Sequence, residues 1–239
     1  MKILAIDTSA RAASAAVCDE ERILCESYVD VKLTHSETLM PMLDAMLHCA
    51  ALTLDDLDYL AVSVGPGSFT GLRIGISAVK GMAFPRKIPC IGVSTLEGLA
   101  YNLTGQSCIA CCAMDARCKQ VYTACFDVEG DTVTRLTADE AITITELEKK
   151  LFEIQSKKPI IMVGDGSLLC YNSFGEKSRY QLAPPQLRYQ HANSVCRAAL
   201  QKTAASVGAG ELVPAYLRLP QAERELLKKE GTKHDCNRQ

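Results

Sequence analysis

The chain contains no tryptophan and few aromatic residues of any kind, 5% of 239. None of its apolar runs reaches the ~18 residues a membrane-crossing helix needs, so no membrane association is expected. The first residues also lack the long apolar region and cleavage signal of a secreted precursor, since Asp7 interrupts the opening run. A cytoplasmic location is expected. Concentrated positive charge is missing as well, the formal net charge being -2. A protein that grips RNA unaided needs a dense basic face, so any RNA contact is expected to be shared with a partner, with Lys228, Lys229 and Lys233 adding weak contacts. Histidine is scarce: His35, His48, His191 and His234 lie in separate segments and no two are four apart. That argues against a metallopeptidase helix with paired imidazoles. The G-x-S-x-G elbow, the Walker loop and the Rossmann fingerprint are absent too.

Cysteine is abundant, with 12 residues, but Cys108 and Cys111 form the one C-x-x-C pair. They fall in a β-patterned run, where residues three apart face opposite ways and cannot share a metal. Small buried thiols are the simpler reading, with Cys118 and Cys236 as candidate exposed exceptions. Apolar residues make up 48% and charged residues 23%, the balance of a globular protein with a sizeable core.

The pattern predicts an α/β chain in two lobes. KILAID, SAAVCD and RILCESYVD read as three neighbouring antiparallel strands, with Asp19, Glu20 and Glu21 in the second turn. Thr34-x-x-Glu37 is a capping box, and Leu39, Met42, Leu43 and Met46 follow at helical spacing, with Pro41 inside. YLAVSVG reads as a buried strand. A second helical stripe, ending before Pro85, contains Leu72, Gly75, Ile76 and Val79. CIGVS and a helix over 95–101 follow, and the Gly/Asn/Ser-rich 102–107 is the linker candidate. The expected division is an N-terminal lobe over 1–103, a smaller lobe over 104–220 and a polar tail over 221–239. Three strands, helices around 143–155, 167–177 and 191–207, and the strand PIIMVG occupy the second lobe; a surface helix is expected beyond Pro220.

The strongest local feature is VGPGSFTGLRIG, a strand running through a Gly-Pro-Gly turn into a helix N-terminus. Gly65 and Gly67 either permit a tight connection or expose amides to an anion, with Ser68, Thr70 and Arg73 as added donors. Gly71 and Gly75 share one helix side and invite close packing, against the chain's own core or a second protein. Asp7-Thr8-Ser9 and Asp115-Ala116-Arg117 end strands in corresponding places, where facing carboxylates hold a metal-phosphate unit in two-lobed nucleotide enzymes. A strand-terminal Asp is also a common turn former, and Gly164-Asp165-Gly166 reads as a turn.

In order along the chain, ILAIDTS, THSETLMPML, VSVGPGSFTGLRIG, IGVSTLEGLA, MDARCKQVY, VGDG and VPAYLRLPQAE resemble the TsaB (YeaZ) family over residues 1–225. The resemblance implies the ribonuclease H-like fold of acetate and sugar kinases, Hsc70 and actin, with a reduced second lobe. It also implies a place in the complex that makes threonylcarbamoyladenosine at tRNA position 37. The sister family TsaD carries two metal-binding histidines where this chain has Thr95 and Leu99, so no metal is expected. No cofactor is expected either, with ATP or ADP left weak or shared at an interface. The resemblance further implies a non-catalytic subunit that pairs with TsaD, helps recruit TsaE and also pairs with itself. Its partner face is expected at Leu39, Met42, Leu43, Met46, Gly71, Leu72, Gly75, Ile76 and Val79. A vestigial nucleotide or anion site is expected at Asp7, Thr8, Ser9, Gly65, Gly67, Ser68, Thr70, Arg73 and Asp115. An independent ATPase or kinase of the same fold is the rival reading.

Overall fold

A computed structural model describes residues 1–31 and 33–218. The expected tail helix, the three tail lysines, His234 and Cys236 lie outside the described residues.

Strands β1 (Ile3–Asp7), β2 (Ala13–Cys18) and β3 (Ile23–Val29) form an antiparallel meander. Helix α1 (His35–Cys49) follows, its start fixed by the reciprocal Thr34/Glu37 capping box. Strand β4 (Tyr59–Gly65) then pairs parallel to β1, and β5 (Cys90–Ser94) parallel to β4. The sheet order is β3-β2-β1-β4-β5. Helix α2 (Phe69–Arg86), which forms the β4–β5 crossover, runs through Pro85 rather than stopping before it. A proline in the last turn forfeits only its own amide bond, and the helix closes two residues later on Lys87 in a left-handed conformation.

Helix α3 (Thr95–Tyr101) leads to the long hairpin of β6 (Gln106–Asp115) and β7 (Gln120–Gly130). Strand β7 pairs over its first residues with β9 (Glu140–Thr143) and over its later ones with β8 (Thr132–Arg135). Helix α4 (Ile144–Glu153), β10 (Ile160–Val163), α5 (Ser167–Ser173), β11 (Tyr180–Leu182), the short α6 (Pro185–Arg188) and α7 (Ala192–Leu200) follow among the described residues. The second sheet runs β11-β10-β6-β7-β8.

Side-chain alternation assigns each sheet face to a layer. Leu4, Ile6, Val17, Leu60 and Val62 pack under α1 and α2, while Ile3, Ala5, Ala16, Ala61 and Val93 pack against α7. On the second sheet Cys108, Ala110 and Cys112 meet α3, and Ile109, Cys111 and Ala113 meet α4 and α5. The order is helices, sheet, helices, sheet, helices. The chain after Gln190 returns to the first sheet: α7 brings Ala192, Val195, Cys196 and Ala199 onto β1, β2 and β5. Packing and chain order therefore part company over the stretch read from sequence as second-lobe.

Candidate functional site

The strand ends that carry the sequence motifs border one cavity of about 510 Å³ between the sheets, lined by Ser9–Arg11, Pro66–Thr70, Met114–Arg117, Tyr122, Asp165 and Ala215–Arg218. Its floor is the turn from β4 into α2. The Gly65–Pro66 peptide is cis, and Gly65 has φ +127, a left-handed conformation that excludes most side chains. A Cβ there would stand 2.4 Å from the Ala215 carbonyl oxygen. The Ser68 amide donates to the Ser9 carbonyl at 2.6 Å, and the Ser68 hydroxyl caps α2 by accepting from the Gly71 amide at 3.3 Å. Thr70 and Ser68 are exposed at the helix start.

Asp7 does not face this cavity. Its carboxylate is 1% exposed and accepts from the Ser9 amide at 2.9 Å, from the Ser9 hydroxyl at 2.7 Å and from the Ser63 hydroxyl. Burial pushes its pKa up, against the opposing pull of those donors and of nearby His35. Asp7 thus ties the end of β1 to β4 and to its own turn, a correction to its reading as a cleft carboxylate. Thr8 is equally internal, its hydroxyl donating to the Gly71 carbonyl at 2.8 Å. His35 donates from Nε2 to the Ala10 carbonyl at 2.8 Å, which pins the start of α1 to the same turn.

The cleft carboxylates are Asp115 and Asp165, with the Asp115 amide donating to Asp165 Oδ1 at 3.3 Å. Burial is the main cause of the rise of the Asp165 pKa to about 6, and the Asp115 charge adds to it. Asp115 in turn accepts from the Arg117 amide at 2.7 Å. Arg117, Cys118 and Lys119 all have positive φ, 62, 54 and 56. Such a left-handed run costs roughly 1–2 kcal/mol per residue.

Arg73 turns away from the anion position expected of it. Its guanidinium lies 4.4 Å from the Phe69 ring centroid, and its Nε donates to the Tyr216 hydroxyl at 3.0 Å. Tyr216 stacks on Phe69 with centroids 4.0 Å apart. Two residues on, Arg218 donates to the Ala116 carbonyl at 3.1 Å and to the Gln120 side chain, with the Tyr122 ring 5.7 Å away. The segment from Leu212 to Arg218 therefore straps the cleft, held to β4 by the Ala215 amide, to α2 by Tyr216 and to the second sheet by Arg218. Sequence reasoning missed Tyr216, Arg218 and Asp165 as cleft residues. The only signal was their membership in the motifs VPAYLRLPQAE and VGDG.

The expected partner residues are also relocated. Leu39, Met42, Leu43, Met46, Gly71, Leu72, Gly75, Ile76 and Val79 are all buried within the chain. The glycines face Thr8: a Cβ at Gly71 would meet the Thr8 carbonyl oxygen at 2.0 Å, and one at Gly75 its Oγ1 at 2.5 Å. Gly spacing marked close packing correctly, but the packing partner is the end of β1. What the two helices expose is the opposite side: Met40, Pro41, Asp44 and Ala45 on α1, and Ser77, Gly81 and Phe84 on α2.

Thr95 and Leu99 are fully enclosed, Leu99 within the core under the second sheet. A leucine offers no donor, so these positions do not fit a metal. Among the described residues no group of three or more His, Cys, Asp or Glu is placed to hold one, and no helix is long and apolar enough to cross a membrane.

Residues 30–226 match the family model described as TsaD, tRNA N6-adenosine threonylcarbamoyltransferase. The chain is 30% identical to the tRNA threonylcarbamoyladenosine biosynthesis protein TsaB of Bacillus subtilis, over 93% of this chain and 96% of that one. The TsaB of Escherichia coli is also 30% identical, over 96% and 100%. YeaZ from Pseudomonas aeruginosa superposes with a TM-score of 0.76 at 27% identity, covering 90% of this chain and 99% of that one. The two-sheet architecture is the ribonuclease H-like fold of acetate and sugar kinases, Hsc70 and actin.

Proposed function

Because this chain belongs to the TsaB family of tRNA threonylcarbamoyladenosine biosynthesis proteins, we propose that it serves that synthesis as a non-catalytic subunit, activating a TsaD-type partner. The observation that carries the reading is the replacement of a metal-binding pair by Thr95 and Leu99, both sealed in the core. A catalytic Lewis acid has no ligands there. The cleft carries less than a nucleotide enzyme needs, since Asp7 is buried against Ser9 and Ser63 and Arg73 is engaged by Phe69 and Tyr216. Nucleotide binding in this reading is weak or shared with the partner. Of the rest of the expected set, Gly67, Ser68, Thr70 and Asp115 line the cleft and would supply this chain's share, while Thr8, Ser9 and Gly65 are committed inside the chain.

The docking face is assigned to the outer sides of α1 and α2, where Met40 is 49% and Phe84 76% exposed. Both are large apolar side chains on solvent-facing helix surfaces, and Gly81, three residues before Phe84 on α2, has open space in place of a side chain. A TsaD-type protein presenting two similar helices would bury them. The same face would serve pairing with a second copy, and recruitment of a TsaE-type ATPase follows assembly. All of this takes place in the cytoplasm, with tRNA bound by the assembled complex.

Reconstitution tests the proposal. With a TsaD-type enzyme and a TsaE-type ATPase present, adding this chain raises threonylcarbamoyl transfer to tRNA, while the chain alone turns over no ATP and modifies no tRNA. Transfer or ATP turnover by the isolated chain would overturn it in favour of an independent enzyme.

A further inference from the structure

Two cysteines of the second sheet oppose each other across its central hairpin. The β6–β7 register places Cys111 directly opposite Cys125. The Cys125 amide donates to the Thr137 hydroxyl at 2.8 Å, and its carbonyl accepts from the Leu136 and Thr137 amides at 2.9 and 3.2 Å. Both backbone groups of Cys125 thus point away from β6. The pair is therefore of the non-hydrogen-bonded class, in which opposed Cα atoms stand about 4.5 Å apart and side chains approach most closely. That separation falls inside the range of about 4.4–6.8 Å that a disulfide spans. Both side chains belong to the face under α4 and α5. Cys112, one residue on, faces the opposite way into the core under α3.

Burial at 0% and 4% would ordinarily keep such thiols inert. Two features work against that. Strand β7 changes partner at this point: Phe126 still pairs with Arg135 of β8, and Thr123 already pairs with Glu140 of β9. Cys125 lies between them, its backbone bonded to the loop of residues 136–139 rather than to a neighbouring strand. The neighbouring Cys111 and, against the opposing effect of burial, Thr137 also lower the Cys125 pKa, while Cys111 is pushed well up.

We propose that Cys111 and Cys125 form a peroxide-oxidisable dithiol that closes to a cross-strand disulfide within the second sheet. The Cys125 thiolate attacks one oxygen of hydrogen peroxide, the O–O bond breaks, and a sulfenic acid and hydroxide result. The hydroxide takes the Cys111 proton as water. The Cys111 sulfur then attacks the Cys125 sulfur and displaces hydroxide, which recovers the proton first released by Cys125. In sum, two thiols and one peroxide give one disulfide and two waters.

The full chain is treated with hydrogen peroxide while folded, quenched, denatured, alkylated with N-ethylmaleimide and digested with trypsin. A peptide spanning 120–135 is expected to appear joined to the one carrying Cys111, two hydrogens lighter than the pair and separated again by dithiothreitol. Cys112→Ser keeps the link. Cys111→Ser abolishes it and leaves Cys125 as a sulfenic or sulfinic acid, and Cys111→Ala, checked by circular dichroism, guards against a folding defect. The wild-type map needs no variant. Full alkylation of both thiols at a dose that oxidises the exposed Cys49 and Cys118 would overturn the proposal, as would a link from Cys111 to Cys170 instead.

Discussion

Thr8 and Gly71 hold each other in place: the Thr8 hydroxyl donates to the Gly71 carbonyl at 2.8 Å, and the Thr8 carbonyl fills the space a Gly71 side chain would need. Helix α2 approaches the end of β1 so closely because both contact positions lack a Cβ. Gly71→Ala must displace backbone, whereas Gly75→Ala meets a hydroxyl and the Val62 methyl at 3.3 Å. Both substitutions should destabilise the fold, by roughly 1–3 kcal/mol, with Gly71→Ala the worse. Thermal unfolding of the isolated variants measures this without any partner. Melting temperatures equal to wild type would show that the glycines are not packing devices.

The outer helix face should behave in the opposite way. Phe84→Glu and Met40→Glu change exposed positions, so stability should stay within about 0.5 kcal/mol of wild type. Co-elution with a TsaD-type partner should be lost or reduced at least tenfold in affinity. Retained co-elution would place the interface elsewhere.

Much of this was legible in the sequence, and the errors share one cause. The strand meander, the Thr34 capping box, the α/β alternation and the opposite facing of Cys108 and Cys111 all follow from local periodicity. The glycine stripe was also seen, but periodicity reports that a face is packed without saying what packs it. The same limit applies to Asp7 and Arg73, whose types suit a cleft while their partners, Ser63 and Tyr216, lie 56 and 143 residues away. The short strands β9 and β11 left no pattern long enough to read. Asp165 was passed over because a Gly-Asp-Gly turn looks the same whether its carboxylate meets water or a second carboxylate.

Asp165 should make stability depend on pH. Its folded pKa of about 6 lies above the ordinary 3.8, so between those values the folded chain keeps a proton that the unfolded chain has released. Its contribution is present at pH 4, falls as pH rises through about 6 and is flat above. Asp165→Asn removes the titration. Urea unfolding should find the variant about equal to wild type near pH 4 and more stable at pH 8, by roughly 2 kcal/mol. A difference that does not change with pH would remove Asp165 as its source.

The strap should separate into two anchors. Arg218→Ala loses the bonds to Ala116 and Gln120, and Tyr216→Ala loses the stack on Phe69. Hydrogen exchange should quicken over 115–121 in the first variant and over 64–70 in the second, with about 1 kcal/mol of stability lost in each. Exchange unchanged in both segments would mean that the cleft keeps its width without the strap.

Synthesis from the N-terminus meets a consequence of the return of α7 to the first sheet. Ile3, Ala5, Ala16, Ala61 and Val93 are among the first apolar residues made, yet the helix that covers them is not finished until Leu200. A nascent chain that has completed all five strands of that sheet still carries one bare apolar face for about another hundred residues, a time set by the ribosome at ~5–20 residues per second. For those seconds the protein is half a sandwich, its first sheet open on one side until α7 is made.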